Sequence, residues 1–388
     1  MKYEWKTALL GEVVKFSSGG TPNKSRPEFW DGTIPWISAK TMKDEFISTS
    51  DLFISEQGLA AGSKLAQAGS LLLLTRGSGL FNGVPICFVE NPVAFNQDVK
   101  CINAFRCVSN KFVFYWLISQ KEYLKAKLDV TGIGAGKFNM DFLLGLEIPV
   151  PSEDEQRQIV SIADAITERI CTNRKINDNL QQQAQALFAD AFPYTPDDEL
   201  PIGWRKGTVG DIVDIHDSKR IPLSGAQRDK MTKRTYPYYG AASLMDYVDD
   251  YIFDGTYLLL GEDGTVVDDV GYPILQYVWG QFWVNNHAHI LTGKNGYSVE
   301  SLMLLFKRTP VKSIVTGAVQ PKISQANLRS IPVVIPAAEA LTEFNALIAP
   351  MFDQIRQNTD QNKALAQLRD ALLPKLMSGE IGVSDVQI

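Results

Sequence analysis

The chain has 388 residues, a length that suggests two or three domains at roughly 150 residues each. Apolar residues make up 45% and charged residues 21%, so ordinary globular cores are within reach. The 38 Lys and Arg against 44 Asp and Glu give a net charge of −6, which excludes a uniformly basic, histone-like protein but leaves room for a local basic surface. No apolar run approaches the ~20 residues of a membrane helix, and Met1–Lys6 lacks the apolar stretch of a secretory signal. Four cysteines without a CxxC pair read as reduced thiols of a cytoplasmic protein.

In chain order, Trp5-Lys6 and Leu10-Gly11-Glu12-Val13-Val14 open residues 1–150. Phe29, Trp30 and Trp36 read as core in preference to a base-stacking surface. Ser70–Thr75 and Val84–Val89 are strand-like, and the loop Arg76-Gly77-Ser78-Gly79 lies between them. Lys111–Lys125 is helix-like. Gly132-Ile133-Gly134-Ala135-Gly136 has the glycine density of a phosphate loop. It fails both the dinucleotide fingerprint and the P-loop pattern, because Lys137 stands where a third glycine belongs and no Ser or Thr follows it. Asn91-Pro92 lacks the residues that would make it an amino-methyltransferase motif.

A long helix is expected next. Ser152 and Glu155 form a capping box. Behind them Ile159, Ala163, Ile166, Ile170, Asn173, Asn177, Leu180, Ala184 and Leu187 alternate spacings of four and three, a heptad seam that ends near Phe192-Pro193. Beyond residue 195 the pattern starts again. Trp204-Arg205 and Val209-Gly210-Asp211-Ile212-Val213 repeat the opening block at a shift of 199 residues. Tyr257–Leu260 is strand-like, and glycine-rich turns at Gly261–Gly264 and Gly293–Gly296 flank the following strands. His287 and His289 are two apart with no third metal ligand evident. Ser298–Phe306 is helix-like. Lys322-Ile323, Leu328 and Ile335-Pro336 repeat Lys137-Phe138, Leu143 and Val150-Pro151 at a shift of 185, so the second copy is 14 residues shorter between its anchors. A second seam follows at that same shift: Phe344, Ile348, Met351, Ile355, Asn358, Asn362, Leu365, Arg369 and Leu372. Arg369 is its one lapse, with neighbouring Leu368 the expected substitute.

The architecture that follows is α+β: two globular domains, mostly sheet, in an internal pseudo-twofold repeat, separated by two long antiparallel coiled-coil helices. The boundaries are 1–150, 151–195, 196–335 and 336–388. Each helix of about 38 residues would span roughly 57 Å. Antiparallel pairing would bring the four seam asparagines together and fix the register. Residues 151–200 hold 4 basic against 10 acidic side chains and 336–388 hold 4 against 7, whereas 1–150 hold 16 against 14 and 201–335 hold 14 against 13. A polyanion would therefore meet the globular parts and avoid the helices. No nucleophile–base set, nuclease centre or metal cluster is evident, so the chain reads as non-catalytic. Lys137 and Lys322 recur at equivalent places after Thr131-Gly132 and Thr316-Gly317, which suggests a shared role such as phosphate contact.

Taken together these residues resemble the specificity subunit of a type I restriction-modification system. In the first half the resemblance rests on Leu10–Val13, Gly20-Thr21-Pro22, Phe29–Ile37, Leu74–Gly77, Asn96-Gln97-Asp98, and Ile148–Pro151 with Glu155-Gln156. In the second half it rests on Gly210–Ile212, Gly261–Gly264, Asn286–His289, Gly317–Lys322 and Leu376–Ile381. The second half departs from the pattern at Lys219-Arg220-Ile221-Pro222, which stands for the Gly-Thr-Pro and Ile-Pro-Trp block, and at Glu339-Ala340, which stands for Glu155-Gln156.

The resemblance implies two target-recognition domains, each reading one half of a split, asymmetric site in double-stranded DNA. It implies helices that set the unspecified gap and dock two methyltransferase subunits, and two restriction-translocase subunits that complete a complex for defence against phage. It places S-adenosylmethionine, ATP and Mg²⁺ on those partners, with no cofactor, metal or membrane contact in this chain. On that reading the expected DNA contacts are Lys137 and Lys322 at phosphates. Arg76, Ser78, Asn96 and Gln97 join them in the first half, and Lys219, Arg220, Asn285, His287 and Gln320 in the second. The alternatives are a two-headed coiled-coil adaptor for proteins or glycans, and a specificity module for a motor-free methyltransferase.

Overall fold

The computed structural model describes residues 5–131, 134–317 and 319–386. The chain forms two compact units, one of residues 1–171 with 361–388 and the other of residues 172–360. The helices are Glu153–Ala191, with 39 residues, and Ala338–Met377, with 40. The unit boundaries fall inside both helices, so each unit owns a part of each. This differs from a division at the helix ends, because each globular core extends onto the helical segments beside it.

The centre of unit 1 is a five-stranded sheet in the order Val14–Ser18, Val99–Ala104, Leu71–Leu74, Ile86–Val89 and Phe46–Ile47. Leu71–Leu74 is central and its four leucines are fully buried, which explains an unalternated apolar run: both faces of this strand are covered. Helix Asn110–Ser119 lies on the sheet and buries Phe112–Ile118. The helix-like stretch then breaks at Gln120 and resumes as Lys121–Ala126. Unit 2 repeats the plan with Val213–Ile215, Ala288–Gly293, Tyr257–Gly261 and Leu275–Val278, where Leu258, Leu259 and Leu260 are fully buried.

Each unit carries a second small sheet with one parallel pair. In unit 1 this pair is Ile34–Ile37 beside Val93–Phe95; in unit 2 it is Tyr236–Tyr239 beside Gln281–Val284. The register aligns Trp36 with Tyr238 and Ile37 with Tyr239, because each pair lies opposite equivalent residues of its neighbour. The counterpart of Ile34-Pro35-Trp36-Ile37 is therefore Tyr236-Pro237-Tyr238-Tyr239, and not the Lys219–Pro222 segment. Only the proline survives between the copies, too little for a sequence comparison to align. Phe29 and Trp36 are buried and Trp30 packs edge-on to Trp36 at 5.1 Å, so this aromatic group is core.

The capping box of the first long helix is present: Ser152 N–H donates to Glu155 at 2.9 Å and Glu155 N–H to the Ser152 hydroxyl at 3.3 Å. Buried Gln156 ties this helix to the preceding domain, accepting from Ser109 N–H and donating to the Cys107 carbonyl. Within unit 1, Ile159 and Ala163 share a core with Leu373, Leu376 and Met377. Within unit 2 the two helical segments run antiparallel, since Phe188 packs on Phe344 at 5.5 Å while Asn177 bonds to Asn358. Of the seam residues, Ile159, Ile166, Ile170, Asn173, Asn177, Ile348, Ile355 and Asn358 are buried, and Leu180, Met351, Asn362 and Leu365 are half-buried.

The expectation for Arg369 is overturned. Leu368 is exposed, and Arg369 itself is buried in the seam position. Glu45 supplies the reason: its carboxylate pairs with the Arg369 guanidinium and also accepts from Lys121 at 2.8 Å. Among the described residues no helix is long and apolar enough to cross a membrane.

Candidate nucleic-acid interface

One corner of each central sheet is built by the same backbone hydrogen bonds. In unit 1, Thr75 N–H donates to the Asp98 carbonyl at 2.8 Å, and Phe138 N–H to the Thr75 carbonyl at 3.0 Å. In unit 2, Glu262 N–H donates to the His287 carbonyl and Ile323 N–H to the Glu262 carbonyl, both at 2.8 Å. The residue after each pair lies opposite the loop lysine: Arg76 pairs with Lys137, and Asp263 with Lys322. This frame aligns Thr75-Arg76 with Glu262-Asp263, Asp98 with His287, and Lys137 with Lys322.

Buried asparagines brace both corners. Asn96 uses its side-chain oxygen to accept from the N–H groups of Asp98 and Val99, both at 3.1 Å. Asn285 does the same for His287 N–H at 2.8 Å. Both are expected base-contact residues that the structure places otherwise, buried and holding their own loops. A short amide beside two free backbone donors satisfies them at once, which leaves it little capacity for a base edge.

In unit 1 the remaining expected residues face solvent. Arg76, Ser78, Gln97 and Lys137 are exposed, and Gln97 accepts from the Thr21 hydroxyl at 2.7 Å. Arg76 and Lys137 are directly opposed across an antiparallel pair, so their side chains share a face. Neither makes a side-chain hydrogen bond or ion pair among the described residues. Two opposed cations are unfavourable to a strand pair, and nothing in their side-chain bonding among the described residues offsets the cost. Asp129 flanks Lys137 on its other side. The loop leading to Lys137 closes through Thr131 N–H to the Ala135 carbonyl; Gly132 and Ile133 within it lie outside the described residues.

Unit 2 has opposite chemistry at the same corner. Glu262 pairs with Arg220 at 2.6 Å and with Lys322 at 3.2 Å, while His287 pairs with Asp263. Arg220 also donates to the carbonyls of Ala288 and Asp217, so this expected DNA contact is a largely buried brace. Beneath it Asp217 accepts from His289 at 2.6 Å, from Gln325 at 2.6 Å and from Ile290 N–H at 3.0 Å. Burial acts to raise the Asp217 carboxyl, but the His289 partner, the backbone donor and the Arg220 charge outweigh it and hold it below the usual range.

Asp217, Glu262 and His289 bring ligand-type atoms within 4.8 Å of one another, whereas His287 pairs with Asp263, so the two histidines do not form one ligand set. Arg220, Lys322 and Gln325 already donate to the two carboxylates, and the His289 ring is held between Asp217 and the Ile323 carbonyl, so the cluster reads as an ion-pair network. Lys219 and Gln320 are exposed; Lys322 keeps about half of its side-chain surface, at 49%. In the basic stretch Arg228–Arg234, the two arginines at its ends share Asp246, and three backbone N–H groups hold Asp249.

Comparison with known proteins agrees with a repeated, DNA-reading frame. The sequence model described as "Type I restriction modification DNA specificity domain" matches twice, at residues 2–182 and 201–368. The chain is 25% identical to the type I restriction enzyme MjaIX specificity subunit of Methanocaldococcus jannaschii over 99% of its length and 95% of that protein. It is 24% identical to the EcoprrI specificity subunit of Escherichia coli, over 92% of this chain and 88% of the relative. The fold is that of the S subunit of a type I restriction-modification system from M. genitalium, with a TM-score of 0.55 over 96% of both chains at 16% identity. With one frame built twice and the family's domain matched on each copy, the chain belongs to the type I restriction-modification DNA specificity subunits.

Proposed function

We propose that the two units read two dissimilar half-sites of one bipartite DNA target for methylation and restriction by partner subunits. The observation that carries this is the shared corner: identical backbone bonds present Thr75, Arg76, Asp98 and Lys137 in one unit and Glu262, Asp263, His287 and Lys322 in the other. Donor and acceptor character is exchanged between equivalent positions, and base edges are told apart by that character. A protein needing the same ligand twice has no reason to reverse the charges on a conserved frame.

On this reading phosphate contacts position each unit, with Lys137 and Arg76 foremost in the first, and base contacts come from exposed neighbours such as Ser78, Gln97, Lys219 and Gln320. The two long helices act as the spacer that sets the unspecified gap and as the docking surface for methyltransferase subunits. Restriction-translocase subunits complete the assembly. S-adenosylmethionine, ATP and Mg²⁺ serve on those partners, and this chain contributes binding and no bond-making step.

Methylome sequencing tests the proposal, in a host carrying this gene with its neighbouring methyltransferase against a deletion. The expected result is one new bipartite motif with two dissimilar halves about one helical turn apart, ~34–36 Å. No motif, with the methyltransferase shown to be expressed and active, overturns it.

A further inference from the structure

We infer that Glu262 is a positioning residue that holds Lys322 in an ion pair and withholds it from DNA phosphate, so the two repeated loop lysines contribute unequally. The inference rests on the DNA-recognition reading above. The lysines are equivalent in sequence and in backbone frame, but the residues around them differ, above all at one position. Where unit 1 has Thr75, whose hydroxyl is turned to the Asp98 carbonyl, unit 2 has Glu262.

Glu262 is fixed on all sides. Its backbone bonds to His287 and Ile323, and Arg220 holds one carboxylate oxygen at 2.6 Å while Lys322 reaches the other at 3.2 Å. Only 13% of its side chain is exposed, so water screens it poorly and it cannot swing away. Asp263, directly opposite Lys322, adds a second negative charge. The Lys322 charge is thus already shared with a buried carboxylate before any phosphate approaches. Lys137 lies between Arg76 on one strand and Asp129 on the other, and among the described residues it makes no side-chain ion pair, so its charge is not tied up as that of Lys322 is.

The consequence is electrostatic asymmetry. Unit 1 supplies the larger share of counterion release and salt-dependent affinity, while the corner of unit 2 is neutralised by its own ion pairs.

The test is the slope of log affinity against log salt for the full chain on a mixed-sequence DNA duplex. Each free lysine–phosphate contact adds about one unit to that slope. Lys137→Ala should flatten it by about one, whereas Lys322→Ala should leave it nearly unchanged. Glu262→Gln keeps the shape and removes the charge, so it should steepen the slope by about one and raise non-specific affinity. The double variant Glu262→Gln with Lys322→Ala should return to the unaltered slope. A merely structural role for Glu262 predicts weaker binding, not tighter. Equal flattening by the two lysine variants overturns the inference, as does an unchanged or flatter slope for Glu262→Gln. If Glu262→Gln does not fold, the two exposed lysine variants still decide it. A chain with no salt-dependent DNA binding at all overturns the DNA reading itself, an outcome distinct from these.

Discussion

Asn358 donates its side-chain amide to the side-chain oxygen of Asn177 at 2.8 Å, in the polar middle of the seam. Asn177 in turn donates to the Ile355 carbonyl and the Thr359 hydroxyl. This bond and the two that Asn177 donates close together only when the two helical segments lie in one register. Such pairs specify alignment at some cost in stability.

Replacing one partner should therefore hurt more than replacing both. Asn177→Leu leaves the Asn358 amide buried without its acceptor and should lower unfolding free energy by about 1–3 kcal/mol. Asn177→Leu with Asn358→Leu should recover most of that loss, because apolar pairs of similar volume suit the seam. Chemical denaturation of the three variants against the parent measures it.

Arg369 makes the second long helix part of the first domain. Arg369→Met fills the seam with apolar volume but removes one partner of Glu45. Lys121 still holds that carboxylate at 2.8 Å and a quarter of its side chain is exposed, so the expected loss is moderate, about 1–3 kcal/mol. Equal stability of Arg369→Met and parent in urea would show that Lys121 alone suffices.

The same carboxylate gives a pH dependence. Burial acts to raise the Glu45 carboxyl, but the charges of Lys121 and Arg369 and their hydrogen bonds prevail and hold it below the usual range. A group depressed on folding stabilises at pH above its unfolded value, about 4.3, and loses that contribution as pH falls through its folded value. The stability gap between parent and Glu45→Gln should be full at neutral pH and narrow below about pH 4. Melting temperatures of both proteins between neutral and acid pH measure the gap.

Arg76 and Lys137 are opposed like charges, while Asp129 lies opposite Lys137 on its other side. Arg76→Ala should melt at or slightly above the parent temperature, and Lys137→Ala, which removes one repulsion and one attraction, close to it. Each should also flatten the salt dependence of DNA binding by about one unit, and the double variant by about two. A large drop in melting temperature would show that these side chains brace the loop instead.

Much of the fold was legible in the residues. The long helices, their capping box, the seam and the central buried strands all follow from local patterns, because heptad spacing, a Ser-x-x-Glu start and an unalternated apolar run each have one cheap structural solution. The repeat was legible at its anchors, where glycines and prolines hold their places. It was not legible between them. Tyr236–Tyr239 replaces Ile34–Ile37 with one shared residue, and only the parallel pairing shows them to be equivalent.

The candidate site divides along the same line. Sequence alone determined that two lysines stand at equivalent ends of two repeated loops. Tertiary structure decided what each lysine can do. Arg76 meets Lys137 from sixty-one positions away, and Glu262 meets Lys322 from sixty. Asn96 and Asn285, polar and near the loops, turn inward because backbone donors lie within their reach. A side chain's charge is written in the sequence; which charge it faces depends on strand register, and register is set by the packing of the whole sheet.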